Sequence, residues 1–180
     1  IGMQQMKHAE FVSVAELERL TQHIQSLASI HDLLTQQART DADVISVSIR
    51  AVMEKLLPGL QLMVGERGII FYIADLHLPV RHSTTVAVLV NELISNSLKH
   101  GKGTIEVGLA IQDRTATLEV RDSGPGFPED FNPETAANTG LDLISSLTTI
   151  DLAGTVRYEN RPEGGARVLI TFPIPAINAL

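Results

Sequence analysis

Hydrophobic positions in the N-terminal part of the chain recur at spacings of three and four residues, which is the period of an amphipathic helix. Ser13 and Glu16 have the spacing of a capping box and predict where this helix begins. The apolar stripe that follows extends over about three heptads: Leu17, Leu20, Ile24, Leu27, His31, Leu34 and Ala38. Because one continuous stripe needs a partner helix, we expect a homodimer through residues 13–38; packing of this helix on its own domain is the alternative.

A second helix is predicted from about Thr40-Asp41 to Pro58-Gly59, since proline cannot continue a helix. Its apolar face comprises Ile45, Ile49, Val52, Met53, Leu56 and Leu57. The two helices make residues 1–58 a partial helical dimerisation region.

The pattern changes at Gly68, where β-branched and aromatic residues predict strands. The expected elements are a strand at Ile69–Ile73, a helix at 83–100, a hairpin of Thr104–Ile111 and Thr115–Arg121 turning near Gln112-Asp113, a helix from about Gly140, and strands at Thr155–Glu159 and Ala166–Phe172 joined by Glu163-Gly164-Gly165. This order predicts an α+β fold, with the helical segment followed by a two-layer α/β sandwich in residues 59–180 whose sheet is mostly antiparallel.

Composition narrows the possible functions. The chain has 180 residues, 44% of them hydrophobic, a formal net charge of −7 and no cysteine. A packed core is therefore expected, and disulfide scaffolds, cysteine-based zinc sites and cysteine nucleophiles are excluded. The negative charge argues against nucleic acid or an anionic membrane as a partner.

Localisation is inferred from what the chain lacks. No apolar run approaches the ~20 residues of a membrane span, so we expect no membrane contact by this stretch. No basic-then-apolar signal peptide opens the chain, so a cytoplasmic location is expected. The opening Ile1-Gly2-Met3 is not typical of a natural start, and we expect this chain to be a piece of something longer.

The predicted helix at 83–100 carries a polar stripe beside its apolar face. Glu92, Asn96, Lys99 and His100 follow one another at helical spacing. Such a stripe is usually only the solvated side of a helix. A carboxylate, a carboxamide and a cation side by side can also hold a hard metal ion and contact a phosphate.

Two glycine-containing loops follow. Asp122-Ser123-Gly124-Pro125-Gly126-Phe127 comes directly after a strand; it suits a hairpin turn, but its glycines also let backbone approach a flat ligand while Asp122 accepts a hydrogen bond from an amine. Asn138-Thr139-Gly140-Leu141 precedes a helix, and free backbone amides at a helix start suit a phosphate.

Taken together and in this order, these segments resemble the N, G1 and G2 boxes and the final strand of the GHKL (Bergerat) ATP-binding superfamily, which includes histidine kinases, gyrase-type ATPases and anti-sigma-factor kinases. The resemblance covers about residues 60–175. The run from Asn91 to His100 is similar to that of the sensor histidine kinase subfamily whose N-box reads Asn-Glu-Leu.

The resemblance implies roles for individual residues, with ATP and Mg²⁺ as ligands. Asn96 matches the magnesium ligand, Glu92 the acidic catalytic residue, and Lys99 and His100 positions near the phosphates. Asp122 matches the residue that reads the adenine amine. The remaining matches are Gly124 and Gly126 beneath the purine, Thr139, Gly140 and Leu141 at the end of the lid, and Thr171 near the adenine end.

Two departures from the family pattern stand out. Asn138 occupies the position of the first G2 glycine, and asparagine tolerates a left-handed backbone better than most residues. The segment 128–137, which corresponds to the lid, contains Glu129, Asp130 and Glu134 but no lysine or arginine. Such a lid repels a triphosphate, so charge neutralisation is expected from Mg²⁺, Lys99 and backbone amides.

The phosphorylated histidine is the least determined feature. His8, His23 and His31 are the candidates in the helical region, and His31-Asp32 superficially resembles a phosphoacceptor box. His31 also falls on the heptad stripe, where a packed core role is the alternative. In the subfamily of the N-box, the acceptor lies in a box further upstream that this chain lacks.

The resemblance thus implies the catalytic core of a two-component sensor histidine kinase, which transfers the ATP γ-phosphoryl group to a histidine and onward to a response regulator. An anti-sigma-type serine kinase and a degenerate ATP-domain scaffold are the alternatives. The long heptad helix argues against the serine kinase, whereas the acidic lid and the absent acceptor box favour the scaffold.

Overall fold

The computed structural model of this chain describes residues 46–136 and 139–177, together with the isolated positions 28, 32 and 35. The capping box, the whole heptad stripe including His31, and Asn138 lie outside the described residues. The predicted dimer through residues 13–38 therefore remains a prediction.

Three helices and seven strands lie within residues 46–136 and 139–177. In chain order they are β1 (Val47–Ser48), α1 (Ile49–Val64), a 3₁₀ turn (Gly65–Arg67), β2 (Ile69–Ile73), β3 (His77–Leu78), α2 (Val80–His100), β4 (Ile105–Gln112), β5 (Thr115–Arg121), α3 (Thr139–Ser146), a π-helical turn (Leu147–Asp151), β6 (Thr155–Asn160) and β7 (Ala166–Pro173).

Five strands form one mixed sheet in the order β2-β4-β5-β7-β6. Only the β2–β4 pair is parallel, and the other three pairs are antiparallel. The mostly antiparallel sheet is thus confirmed, as is the hairpin that turns at Asp113, whose φ is 55°. The short pair β1–β3 forms a separate antiparallel ladder that the sequence did not predict.

The helices cover one face of the sheet. Along β5, Ala116, Leu118 and Val120 are buried while the alternate residues are partly exposed, as expected when one face packs on helices and the other meets solvent. Helix α2 is buried over most of its circumference between Ser83 and Ile94, because it lies between the sheet and the neighbouring helices. The predicted two-layer α+β sandwich is confirmed.

The predicted limits of the second helix are wrong. Residues 47–48 form a strand, and α1 begins only at Ile49, where the Ser48 hydroxyl accepts a hydrogen bond from the Ala51 amide. The helix continues through Pro58 and ends at Val64. Burial explains this, because Leu60 and Val64 lie in the core beyond the proline.

Pro58 is tolerated because of where it lies. Both Pro58 and Glu54, whose carbonyl loses its helical partner, are on the exposed side of α1, so water can satisfy that carbonyl. The predicted boundary between residues 1–58 and 59–180 therefore falls inside a continuous helix. The division of the chain into these two units remains a prediction.

Replacing Pro58 with alanine restores an amide donor in the middle of α1. We expect Pro58→Ala to raise the free energy of unfolding by roughly 1–3 kcal/mol, measured by chemical denaturation. Pro162→Ala is the matched control, since Pro162 is exposed in the turn between β6 and β7 and breaks no helical hydrogen bond. Equal or lower stability of Pro58→Ala would contradict the account of α1.

Candidate functional site

A cavity of about 410 Å³ opens between the C-terminal half of α2 and the ends of β5, β6 and β7. Its volume falls within the range of roughly 300–1,000 Å³ typical of small-molecule sites. It is lined by side chains and backbone of Leu93, Asn96, Ser97, His100, Gly101, Val120, Asp122, Pro125, Gly126, Phe127, Pro128, Phe131, Ala136, Leu141, Tyr158, Ala166 and Val168.

Asp122 is the buried anion of this cavity, with only 3% of its surface exposed. It follows β5 directly, and its amide donates to the carbonyl of Ala166 at 3.1 Å, which continues the β5–β7 ladder by one residue. One carboxylate oxygen, Oδ1, accepts a hydrogen bond of 2.8 Å from the Gly124 amide. The carboxylate is thus held in a fixed orientation at the cavity wall.

Glycines allow the backbone to close around Asp122. A Cβ atom at Gly101 would overlap the Asp122 carboxylate, and one at Gly165, where φ is 99°, would overlap its carbonyl. A Cβ at Gly124 would lie 2.6 Å from the Gly101 Cα. Three chain segments can therefore converge on this carboxylate only because each contributes a glycine.

Arg161, which the sequence reasoning did not single out, supports Asp122 from the turn between β6 and β7. Its Nη1 donates to the Asp122 carbonyl at 2.9 Å, and its Nε donates to Glu163 Oε1 at 3.0 Å. Only 13% of the Arg161 side chain is exposed. This arginine fixes the backbone of Asp122, and its position before the Glu163-Gly164-Gly165 turn was the only sequence signal for it.

Three aromatic rings form one wall of the cavity. Phe127 stacks on Phe131 with 4.6 Å between ring centroids, and Tyr158 meets both edge-on at 5.7 and 5.5 Å. Burial raises the pKa of Tyr158 to about 12, so its hydroxyl stays neutral at physiological pH. This wall offers a flat ligand an apolar surface.

Asn160 fixes the loop that carries this wall. Its Oδ1 accepts from the Phe127 amide at 2.6 Å and its Nδ2 donates to the Phe127 carbonyl at 3.0 Å. A Cβ at Gly126, where φ is 80°, would overlap Asn160 Oδ1, so Gly126 is required at this position. These contacts place Gly126 and Phe127 against the cavity.

Helix α2 brings the polar stripe to the opposite wall. Asn96 and His100 line the cavity, while Lys99 is exposed nearby and does not line it. Glu92 lies one turn before Asn96, 3% exposed and outside the lining. Burial raises the pKa of Glu92, and the charge of Lys99 opposes this shift, so Glu92 takes up a proton more readily than an exposed glutamate.

Among the residues predicted to contact the ligand at the start of α3, Leu141 reaches the cavity. Leu141 lines it and is 8% exposed, while Gly140 lies next to it in the first turn of α3. Thr139 is the first residue of this helix. Gly124 does not line the cavity; its backbone amide donates the hydrogen bond that orients the Asp122 carboxylate.

Thr171, expected near the adenine end, is not among the residues that line the cavity. Thr171 pairs with Thr117 across β5 and β7, and their hydroxyls lie 3.4 Å apart. Ala166 and Val168, which line the cavity, point to the other face of β7, because side chains alternate along a strand. The alternation thus puts Ala166 and Val168 on the cavity face of this strand.

The residues present fit a magnesium ion only if a ligand supplies most of its coordination. Within the described ranges, no group of three or more His, Asp or Glu side chains could hold a metal ion. Mg²⁺ commonly takes one or two protein oxygens and completes its shell with phosphates and water. The Asn96 side chain, at the cavity wall, carries a suitable amide oxygen.

Among the described residues, no helix is long and apolar enough to cross a bilayer.

Curated relatives match this chain over part of their length. It is 34% identical over 100 residues to the signal transduction histidine-protein kinase AfsQ2 of Streptomyces coelicolor, covering 48% of this chain and 19% of that protein. It is 23% identical over 170 residues to the sensor histidine kinase PdtaS of Mycolicibacterium smegmatis, covering 84% of this chain and 31% of that protein. The chain thus spans less than a third of these two relatives.

Solved structures share the fold. The histidine kinase domain of the Erythrobacter litoralis EL346 blue-light activated histidine kinase matches with a TM-score of 0.73 at 19% identity, over 84% of this chain and 75% of that one. The ATP binding domain of PrrB from Mycobacterium tuberculosis matches with a TM-score of 0.62 at 21% identity, over 74% of this chain and 99% of that one.

The family described as histidine kinase-, DNA gyrase B-, and HSP90-like ATPase matches residues 82–176. This region is slightly more than half of the chain and contains the polar stripe of α2, Asp122 and the glycine-rich turn before β7. The chain belongs to this ATPase family, and its cavity lies within the matched region.

Proposed function

We propose that this chain is the ATP-binding catalytic core of a sensor histidine kinase, which transfers the γ-phosphoryl group of ATP to a histidine and onward to a response regulator. The observation that carries the proposal is the buried, rigidly held carboxylate of Asp122 in an otherwise largely apolar cavity of a domain of this ATPase family. The sensor histidine kinases among its relatives support the choice of reaction.

The cavity suits a purine at one end. The carboxylate of Asp122 can accept a hydrogen bond from the exocyclic amine of adenine, an amine that guanine does not present at the same position. The aromatic wall of Phe127, Phe131 and Tyr158 offers the ring an apolar contact. Adenine selection therefore rests on Asp122.

The phosphates belong at the other end, toward α2 and the start of α3. Asn96 would hold Mg²⁺ together with phosphate oxygens, and the ion would neutralise charge on the transferring group. His100 lines the cavity at the end of α2, and its neighbour Lys99 is exposed. Amides at the N-terminus of α3 are suited to phosphate oxygens.

Glu92, buried one turn before Asn96, would assist proton transfer at the acceptor. A buried carboxylate with a raised pKa is a better proton acceptor at neutral pH than an exposed one. In the proposed reaction, an imidazole nitrogen attacks the γ-phosphorus as the bond to the β-phosphate oxygen breaks, and ADP leaves. Positioning of the reactants and stabilisation of charge in the transition state account for most of the catalysis of such a transfer.

His31 is the candidate acceptor within this chain, and the homodimer through residues 13–38 is the assembly we propose. A response regulator would take the phosphoryl group from the histidine onto an aspartate. The competing candidate is an ATP domain that binds a regulator without catalysis, which the acidic segment of Glu129, Asp130 and Glu134 favours.

Removing the charge of Asp122 tests the adenine site. We expect Asp122→Asn to weaken ADP binding roughly 10- to 100-fold in isothermal calorimetry, since a hydrogen bond to a charged group contributes about 1.5–3 kcal/mol. Asp113→Asn is the matched control, because Asp113 is exposed in the β4–β5 turn and asparagine accepts its positive φ. Equal ADP affinity of wild type and Asp122→Asn would contradict the assignment.

The chemistry of the transferred phosphate separates the candidate functions. We expect the chain, incubated with γ-labelled MgATP alone and with candidate acceptor proteins, to produce an acid-labile label, because phosphohistidine hydrolyses in acid. His31→Gln removes the label from this chain if His31 is the acceptor, with His8→Gln and His23→Gln as controls. An acid-stable label on serine would identify a serine kinase, and nucleotide binding without any label would identify a scaffold.

A further inference from the structure

Arg67 connects the end of α1 to the nucleotide cavity. It is the last residue of the 3₁₀ turn Gly65–Arg67, which follows α1. Its Nη1 donates to the Ser97 carbonyl at 2.7 Å and, more weakly, to the Leu98 carbonyl at 3.4 Å, both in the last turn of α2. Its Nε donates to the Gly103 carbonyl at 2.8 Å. The Arg67 guanidinium therefore links the last turn of α2 to the loop 101–103.

The position of Arg67 is set by its own turn. Gly65 and Gly68, on either side of this turn, have φ values of 59° and 71°, which only glycine adopts readily. The Gly68 carbonyl accepts a hydrogen bond from the Ile105 amide at 3.2 Å, which ties the turn to the first residue of β4. The turn thus aims the guanidinium at residues 97–103.

Arg67 is only partly exposed, and its guanidinium bonds to backbone within the domain. Its Nη2 is buried and has no hydrogen-bond partner among the described residues. The carbonyls it binds include those at the C-terminus of α2, where the helix dipole favours a cation. The Ser97 carbonyl also accepts the Gly101 amide at 2.9 Å, so loss of Arg67 removes its second donor and the charge at the helix end.

The loop that Arg67 holds is in contact with Asp122. The Ser123 amide donates to the Lys102 carbonyl at 2.9 Å, and a Cβ at Gly103 would lie 3.3 Å from the Ser123 Cβ. Gly101, in the same loop, packs directly against the Asp122 carboxylate. Asn96, Ser97 and His100, at the same end of α2, line the cavity.

We propose that Arg67 is a positioning residue for nucleotide binding, which couples the end of α1 to the cavity by fixing the last turn of α2 and the loop 101–103 against Asp122. This inference rests on the proposed function. The inference extends the proposed function by giving α1, which overlaps the predicted dimerisation region 1–58, a defined contact path to the adenine site. A shift of the 65–68 turn would move both the last turn of α2 and the loop 101–103, which meet at Gly101.

The test compares Arg67→Gln and Arg67→Lys with Arg114→Gln. Arg114 is the matched control, since it is exposed at the β4–β5 turn, at the far end of β4 from Gly103. We expect Arg67→Gln to raise the Kd for ADP roughly tenfold, equivalent to about 1.4 kcal/mol. Arg67→Lys keeps the positive charge but lacks the planar set of donors, so its Kd should lie between those of wild type and Arg67→Gln. The Kd of Arg114→Gln should match that of wild type.

Hydrogen exchange without nucleotide provides the second readout. Arg67→Gln should speed exchange in segments 97–103 and 122–126 while leaving β6 and β7 unchanged. A variant that melts at lower temperature yet binds ADP with wild-type affinity when folded would reduce Arg67 to a structural role and overturn the inference. Wild-type protein that binds no ADP would instead overturn the proposed function and the inference with it.

Discussion

The site depends on keeping one carboxylate buried and correctly oriented. A carboxylate in a largely apolar cavity is costly unless its surroundings satisfy it. The Gly124 amide donates to one carboxylate oxygen of Asp122, and Ala166 and Arg161 bind its backbone amide and carbonyl. Glycine at positions 101, 124 and 165 is the geometric condition, since a side chain at any of them would occupy the space of Asp122 or of the backbone beside it.

That constraint explains the arrangement of the elements around it. The loop after β5, the end of α2 and the β6–β7 turn meet at Asp122, although they are distant in sequence. Different surfaces of the same cavity come from different elements: Asn96 and His100 from α2, the aromatic ring of Phe127 from the loop after β5, and that of Tyr158 from β6. A ligand that contacts Asp122 is therefore surrounded by polar groups on one side and rings on the other.

The sequence predicted most of the fold because local signals were strong. The strand at Ile69–Ile73 is a run of β-branched and aromatic residues. The hairpin and the final two strands have turn residues at their ends. The end of α1 was mispredicted because proline acts locally on the backbone, whereas the burial of Leu60 and Val64 depends on tertiary packing.

The centre of the site was also predictable, but its supports were not. Asp122, Gly126 and Asn96 belong to motifs that specify a ligand chemistry, and all three line the cavity. Arg161 and Asn160 contact partners 39 and 33 residues away, and no periodic pattern reveals such a contact. Thr171 was assigned without regard to strand alternation, which places it on the opposite face of the sheet.

The most direct measurement is a crystal structure of this chain with ADP and Mg²⁺. The account predicts that the adenine lies in the cavity, with its exocyclic amine hydrogen-bonded to the Asp122 carboxylate and its ring against Phe127, Phe131 or Tyr158. The phosphates should extend toward Asn96 and the start of α3. A nucleotide bound elsewhere, or bound in the cavity without contact to Asp122, would contradict it.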